Sequence, residues 1–357
     1  MQDIQRPLDP LGPLLAAASL SHQPVVLDGG FGQLIADEYP HISQKDGLWV
    51  SGAAARMPNV IKDAHTRYLE AGADIITTAT YQASANGYKA AGLVATEAEA
   101  DALMAATVGL AVEARAEYVE AQAEATSTGA AQKRRPLVAV SLGSFGATLG
   151  NCSEYSGVFG EGIAAQDVYE FHLQRFSMLA RCLSTDALRD QVDLLAMETI
   201  PSAVEAGAIV RALDELGQRG TDLPAAWIAF TTRVPDQTGL GEPIEDAVAA
   251  ATSSSRICAV GINCVSMHVV PELLANISRV SPVPVVCYPN GQTWLGSAGG
   301  WGDASAQVSP SDFAKHALEW AQSGAHIVGG CCKTTPKHIR TLVDAVACAG
   351  GVPTPHV

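Results

Sequence analysis

Short apolar runs rich in β-branched residues recur eight times along the 357-residue chain, and each is followed by a helix-like segment. This alternation limits the possible folds more than any other feature, because apolar runs separated by helices are typical of a parallel sheet covered by helices. The predicted strands span residues 24–30, 73–81, 136–144, 194–200, 225–232, 259–264, 284–290 and 325–332.

Helical periodicity appears between the predicted strands, and we predict helices over residues 59–71, 97–121, 167–183, 203–216, 271–278, 310–322 and 336–347. Eight strand-helix units predict a single α/β domain over residues 1–357, a closed (β/α)8 TIM barrel. An open doubly wound sheet is the alternative, but it usually has about five or six strands and begins with a GxGxxG loop. The first predicted strand ends instead in the sequence Asp28-Gly29-Gly30-Phe31-Gly32.

Two segments interrupt the regular repeat. Residues 1–22 are predicted to be an N-terminal extension, of which the apolar residues 11–20 dock as a helical turn. Residues 121–135 are rich in Ala, Ser, Thr and Gly and end in Lys133-Arg134-Arg135, so we predict a mobile surface loop there.

The charge balance narrows the possible partners. The chain has 37 acidic and 22 basic residues, a net charge of -15 that argues against binding to nucleic acid or anionic membranes. No run approaches the roughly 18–20 apolar residues of a membrane helix, and no secretory signal is visible. Eight cysteines are too few for a disulfide scaffold. We therefore predict a soluble cytoplasmic protein that acts on small molecules; the sequence does not indicate an oligomeric state.

Polar side chains collect at the carboxyl ends of the predicted strands, which converge on one mouth of a barrel. They are Asp28, Thr80, Tyr81, Ser144, Glu198, Thr199, Thr231, Thr232, Asn263, Cys264, Tyr288, Asn290, Cys331 and Cys332. A buried carboxylate such as Glu198 needs a cationic or hydrogen-bonding partner, which the ammonium group of a substrate would supply. The alternative for Asp28 and Glu198 is that they cap the following helices.

Three of these residues, Cys264, Cys331 and Cys332, form a possible metal site. Thiolates select zinc over magnesium or calcium, and three protein ligands leave a fourth position open, as in catalytic zinc sites. A redox-active pair formed by Cys331 and Cys332, or simple packing of buried thiols, are the alternatives. The other cysteines are expected to be buried apolar residues, except for Cys152, which is unassigned: Cys182, Cys258, Cys287 and Cys348.

Two motifs at strand ends, GINC at 261–264 and GGCC at 329–332, carry a resemblance to a known family. LDGG at 27–30, TTATYQAS at 77–84, METIP at 197–201 and YPNG at 288–291 support it. With these motifs the chain resembles the zinc-dependent homocysteine S-methyltransferases over nearly its whole length. The resemblance implies a (β/α)8 barrel in which Zn²⁺ is bound by Cys264, Cys331 and Cys332.

The resemblance also implies where the amino-acid end of homocysteine binds. Its pocket is expected to contain Asp28, Gly29, Thr80 and Glu198, with Glu198 facing the ammonium group. We assign Tyr81 and Asn263, which stand beside Thr80 and Cys264 at strand ends, to the same substrate pocket.

The implied reaction is a direct methyl transfer for methionine biosynthesis. A thiol bound to zinc is a thiolate near neutral pH and can attack the methyl group of a sulfonium donor. The chain ends 25 residues after Cys332, which leaves no room for the extensions of betaine-, folate- or cobalamin-using relatives and favours S-methylmethionine, then S-adenosylmethionine. A betaine-homocysteine or selenocysteine methyltransferase, a non-catalytic zinc- or thiol-binding barrel, and a metal-free thiol oxidoreductase are the alternatives.

Two further segments are expected to shape access for the donor. They are residues 242–255 and the glycine-rich loop at 291–302, which carries Trp294 and Trp301. Loops at this edge of a barrel build active sites, and a tryptophan ring can face a cation. Anchoring of the loop is the alternative role for these two tryptophans.

Overall fold

Eight parallel strands form one sheet in the computed structural model, which describes residues 10–21, 23–40, 48–127, 134–221, 223–293, 302 and 307–349. All eight predicted strands are present, although β1, β2 and β8 are shorter than expected. The strands are β1 Val25–Val26, β2 Ile75–Thr77, β3 Leu137–Gly143, β4 Leu194–Ile200, β5 Ala226–Phe230, β6 Ile257–Ser266, β7 Val285–Asn290 and β8 Ile327–Val328.

The sheet closes on itself. The strand order is β1-β8-β7-β6-β5-β4-β3-β2, and every pair is parallel. A parallel bridge between Leu27 and Ile75 joins the two ends of this order, and the Asp28 N–H donates to the Ile75 carbonyl at 3.0 Å. The predicted (β/α)8 barrel is thereby confirmed.

Helices surround the barrel, and all seven predicted helices are present. The helices are α1 Leu11–Ser21, α2 Phe31–Glu38, α3 Ala53–Arg56, α4 Pro58–Ala71, α5 Ala85–Ala90, α6 Glu97–Ser127, α7 Ala165–Leu183, α8 Ala203–Gln218, α9 Ile244–Ala251, α10 Val270–Val280, α11 Pro310–Gln322 and α12 Pro336–Ala349. None of these described helices combines the length and apolar composition that a membrane span requires.

Two segments differ from the prediction. Helix α6 continues to Ser127, into the segment 121–135 expected to be a loop, because Ala, Gln and Glu in this stretch favour helix; residues 128–133 lie outside the described residues. Helix α9, which was not predicted, falls within residues 242–255, and the expectation that this segment shapes donor access stays a prediction. Ile244, Ala247, Val248 and Ala251 of this helix are buried, so it packs as the crossover between β5 and β6.

The interior of the barrel is apolar, and helix α1 closes one end of it. Leu11 and Leu14 of this helix join a buried cluster with Val25, Ile75 and Trp227, so α1 covers the end at which the strands begin. The opposite end, where the strands finish, is left for the polar residues. Residues 1–9 of the predicted extension and residue 22 lie outside the described part of the chain.

The cysteines outside the proposed metal site only partly follow the prediction. Cys182 and Cys287 are buried as expected, and Cys258 is half-buried. Cys348 is exposed, so that prediction was wrong. It follows the buried Val346 by two residues on α12, about 200° around the helix, and so lies on the face turned away from the barrel.

Candidate active site

Three thiols meet where β6 and β8 end. The Cys264 sulfur lies 2.6 Å from that of Cys331 and 4.0 Å from that of Cys332, and the three sulfurs lie within 4.8 Å of one another. A tetrahedral zinc site with Zn–S distances of about 2.3 Å places its sulfurs about 3.8 Å apart. The Cys264–Cys332 separation fits this value, and Cys331 would need to move outward by about 1 Å. The donor set therefore fits a thiophilic metal such as zinc.

Two residues of the site, Thr199 and Cys264, lie at bulges where the strand pairing shifts. Cys264 has a left-handed φ of 52° where the pairing of β6 with β7 shifts, and Thr199 has a φ of 58° where the pairing of β4 with β5 shifts. The Asn263 side chain joins the two bulges: its Oδ1 accepts the Thr199 N–H at 2.7 Å, and its Nδ2 donates to Thr199 Oγ1 at 3.0 Å. Asn263 therefore orients the neighbouring Cys264 and Glu198 through the backbone.

Glycines allow the loop after β8 to approach β1 closely. A Cβ at Gly30 would overlap the carbonyl oxygen of Cys331, and one at Gly330 would overlap the Thr334 hydroxyl. Thr334 fastens this loop, since its hydroxyl donates to the Cys331 carbonyl at 2.5 Å and accepts the Gly30 N–H at 3.0 Å. The sequence reasoning missed Thr334, which carries no metal-ligand or acid-base signal.

Two buried carboxylates stand beside the thiols. Asp28, only 2% exposed, accepts the Thr77 N–H at 2.6 Å and the Thr77 hydroxyl at 3.1 Å. Glu198, 8% exposed, accepts a hydrogen bond from the Ser141 hydroxyl. Burial raises the pKa of Asp28 well above its ordinary value and that of Glu198 to about 7. Neither has a cationic partner among the described side chains, so an ammonium ion would stabilise both in their charged form.

Most of the predicted site residues line one cavity of about 140 Å3, here called the first cavity. They are Asp28, Gly29, Tyr81, Glu198, Asn263, Cys264, Cys331 and Cys332. Thr80 does not line it. This side chain is fully buried behind the wall, where its hydroxyl donates to the Ser141 carbonyl at 2.7 Å and so supports the residue that holds Glu198.

The sequence reasoning missed several residues of this cavity. Glu154 and Tyr155 enter from the loop between β3 and α7. Tyr288, which the sequence placed at the end of a strand without assigning it to the substrate pocket, also lines the cavity, and its hydroxyl accepts the Trp227 indole N–H at 3.0 Å. Burial raises the pKa of Glu154 to about 7, and its Oε2 has no hydrogen-bond partner in the described structure. The sequence did offer a signal for Glu154 and Tyr155, since they are an acidic and an aromatic residue in the loop that follows strand β3.

A second cavity, of about 590 Å3, adjoins the first. Both cavities are lined by Cys264 and Tyr155, so these two residues form the boundary between them. Cys152, which the sequence left unassigned, also lines the second cavity and has a left-handed φ of 61°. The predicted access residues Trp294 and Trp301 lie outside the described residues, so their role stays a prediction.

Comparison with known proteins agrees with this geometry. A family model described as Homocysteine S-methyltransferase matches residues 25–346. The chain is 35% identical over 343 residues to Homocysteine S-methyltransferase 4 of Zea mays, covering 95% of this chain and 94% of that protein. It is 36% identical over 335 residues to Selenocysteine methyltransferase of Astragalus bisulcatus, covering 92% and 94% of the two chains. The solved structure of the metallated form of the homocysteine methyltransferase MmuM from Escherichia coli superposes with a TM-score of 0.73 at 30% identity, covering 93% of this chain and 98% of that one.

Proposed function

The chain belongs to the homocysteine S-methyltransferase family, and we propose that it transfers a methyl group from a sulfonium donor to the sulfur of homocysteine, giving methionine. One observation carries this proposal: three thiols and two buried carboxylates without cationic partners face the same small cavity. A ligand with a thiol at one end and an ammonium group at the other matches both sets of residues.

We propose that Cys264, Cys331 and Cys332 hold Zn²⁺, which their spacing and chemistry fit. When bound, zinc supplies the positive charge that lowers the pKa of the homocysteine thiol and keeps it as a nucleophilic thiolate near neutral pH. The Escherichia coli relative is described as a metallated form, which supports the proposal of a bound metal in this chain.

The other residues bind and orient the amino-acid end. Asp28 and Glu198 receive the ammonium group, and hydrogen bonds from Thr77 and Ser141 hold these carboxylates in place. The amino end of α2 has no side-chain cap, and its residues Gly32 and Gln33 line the cavity. Its backbone N–H groups can therefore receive the substrate carboxylate. This leaves the homocysteine sulfur at the cysteine cluster.

The methyl transfer itself needs no acid or base from the protein. The bond between the donor sulfur and the methyl carbon breaks with its electron pair going to the donor sulfur, which becomes a neutral thioether. A new bond forms between that carbon and the homocysteine sulfur. Three cysteinates around a divalent ion leave a net negative site, which favours the approach of a cationic donor.

The test is to incubate the zinc-loaded protein with homocysteine and, in separate reactions, S-methylmethionine, S-adenosylmethionine or betaine, and to quantify methionine by mass spectrometry. We expect methionine from at least one sulfonium donor. Absence of methionine with every donor would refute the proposal. The methyltransferase relatives argue against a metal-free oxidoreductase or a non-catalytic barrel. Cytoplasmic location and a role in methionine biosynthesis stay predictions.

Selenocysteine is a second candidate acceptor, favoured by the relative named Selenocysteine methyltransferase. The same thiophilic site and carboxylates would serve a selenol with an ammonium group. Competition between homocysteine and selenocysteine in one reaction gives the ratio of their kcat/KM values, and a ratio above one for selenocysteine would make it the preferred acceptor.

A further inference from the structure

We propose that the second cavity binds the methyl donor, and that it takes an α-amino acid bearing a sulfonium, with Thr232, Arg233 and Asn290 receiving the amino-acid end. This inference rests on the proposed methyl transfer and adds to it the cavity and the residues that bind the donor.

The position of the second cavity suits a donor. It shares Cys264 and Tyr155 with the first cavity, so ligands in the two cavities meet at the cysteine cluster. In-line transfer requires the acceptor sulfur, the methyl carbon and the donor sulfur to lie close to one line, so the donor must reach the cysteine cluster from a cavity separate from that of the acceptor. The volume of about 590 Å3 also lies within the roughly 300–1,000 Å3 of small-molecule sites, whereas the first cavity measures about 140 Å3.

Two residues that line the second cavity each carry a buried polar atom without a partner. Asn290 is 3% exposed and Thr232 is 6% exposed, yet Asn290 Oδ1 and Thr232 Oγ1 have no hydrogen-bond partner in the described structure. Native proteins pair nearly all such atoms, so an unpaired pair in one cavity indicates a polar ligand. An α-ammonium group would donate to Asn290 Oδ1, and the Thr232 hydroxyl would donate to an α-carboxylate.

Charge defines the ligand class further. Arg233 lines the second cavity and is exposed. Among the described residues that line this cavity, no other side chain is an arginine, lysine, aspartate or glutamate. It would pair with the carboxylate of the donor. The positive sulfonium would then face the Tyr155 ring and Cys264 at the boundary with the first cavity. Betaine has no N–H group and would leave Asn290 Oδ1 unpaired.

Methyl transfer from a donor in the second cavity needs no further reactant. The carbon–sulfur bond to the donor methyl breaks, its electron pair stays on the donor sulfur, and a neutral thioether remains in the second cavity. The acceptor thiolate in the first cavity forms the new bond to the methyl carbon. No proton or electron moves in this step.

The experiment uses three variants of the full chain, Thr232→Val, Arg233→Gln and Asn290→Leu, loaded with zinc. S-methylmethionine is titrated calorimetrically into each without acceptor, so that no turnover occurs, and S-adenosylmethionine is titrated in a second arm. Homocysteine is titrated separately. Thr252→Val is the matched control, because this half-buried threonine caps the carboxyl end of α9, donates its hydroxyl to the Val248 carbonyl and lies outside both cavities.

We expect the affinity for the sulfonium to fall on the order of tenfold in each variant, while the affinity for homocysteine changes less than about twofold. Thr252→Val should leave both unchanged. A sulfonium that shows the loss is bound by these residues. Circular dichroism checks folding, and if Asn290→Leu does not fold, the near-isosteric Thr232→Val and the exposed Arg233→Gln decide the result.

Different failures point to different conclusions. Unchanged sulfonium affinity in the folded variants, with methionine still formed by the wild-type protein, would overturn the donor site and leave the methyl transfer standing. Methionine formed from betaine alone would also overturn it. No methionine from any donor with wild-type protein would overturn the proposed function, and this inference with it.

Discussion

Replacing Glu198 with glutamine tests whether this carboxylate binds the ammonium group of homocysteine. Burial raises the pKa of Glu198 from its ordinary value of 4.5 to about 7, which corresponds to on the order of 3 kcal/mol at about 1.4 kcal/mol per pH unit. The free protein therefore keeps a proton on Glu198 at pH 6, and an ammonium ion must displace that proton to form the ion pair.

Homocysteine binding should depend on pH because Glu198 must lose its proton to pair with the ammonium group. With a pKa of about 7, about 0.9 of the Glu198 side chains carry a proton at pH 6. Homocysteine binding at pH 6 should release this proton, in addition to the proton lost by the thiol. The affinity for homocysteine should therefore weaken as the pH falls below 7. Glu198→Gln cannot release this proton, so it should bind homocysteine more weakly at pH 8 and show a smaller pH dependence below pH 7.

Calorimetry in two buffers of different ionisation enthalpy counts the released protons directly. Glu113→Gln is the control, because this α6 carboxylate is 62% exposed and lies outside both cavities. Wild-type protein and Glu198→Gln should differ by close to one proton at pH 6. Equal proton release, or an unchanged homocysteine affinity at pH 8, would refute the assignment of Glu198 to the ammonium group.

Further predictions concern the metal centre and the glycines around it. Cys264→Ala should lose zinc and turnover while circular dichroism shows a folded barrel, whereas Cys258→Ala, on the same strand but outside the cluster, should keep both; retained zinc in Cys264→Ala by elemental analysis would contradict the ligand set. Removing zinc with a chelator should abolish methionine formation, and adding zinc should restore it; full activity of metal-free protein would count against the zinc proposal. Gly30→Ala should lower zinc occupancy because its Cβ would displace the Cys331 carbonyl, while Gly109→Ala, with open space around its Cβ in α6, should raise the free energy of unfolding by about 1 kcal/mol in denaturant titrations.

Folding stability gives an independent check on Glu198. Its pKa is raised in the folded protein, so between pH 4.5 and about 7 the folded state holds more protons than the unfolded state. The free energy of unfolding of the unliganded protein should fall as the pH rises through this range, and Glu198→Gln should reduce that slope. Urea titrations at several pH values measure the difference, and parallel curves for both proteins would contradict the raised pKa.

The barrel and the meeting of the three cysteines could be predicted from the sequence because they depend on local patterns. Apolar runs that alternate with helices report burial along the chain itself, and the carboxyl ends of parallel strands meet at one mouth whatever the loops do. Cys264, Cys331 and Cys332 were therefore placed together although 67 residues separate Cys264 from Cys331. The short helix α9 escaped prediction because its eight residues span only about two turns, too few to establish a helical repeat.

The sequence by itself determined the eight strands, the end of the barrel that carries the site, and the residue types available there. Only the tertiary structure decided which way those residues point. Thr80 ends a predicted strand yet lies behind the wall, and Asn263 uses its amide to join the bulges at Thr199 and Cys264. These outcomes depend on hydrogen bonds between strands far apart in sequence and on left-handed backbone at bulges, neither of which leaves a local pattern in the chain.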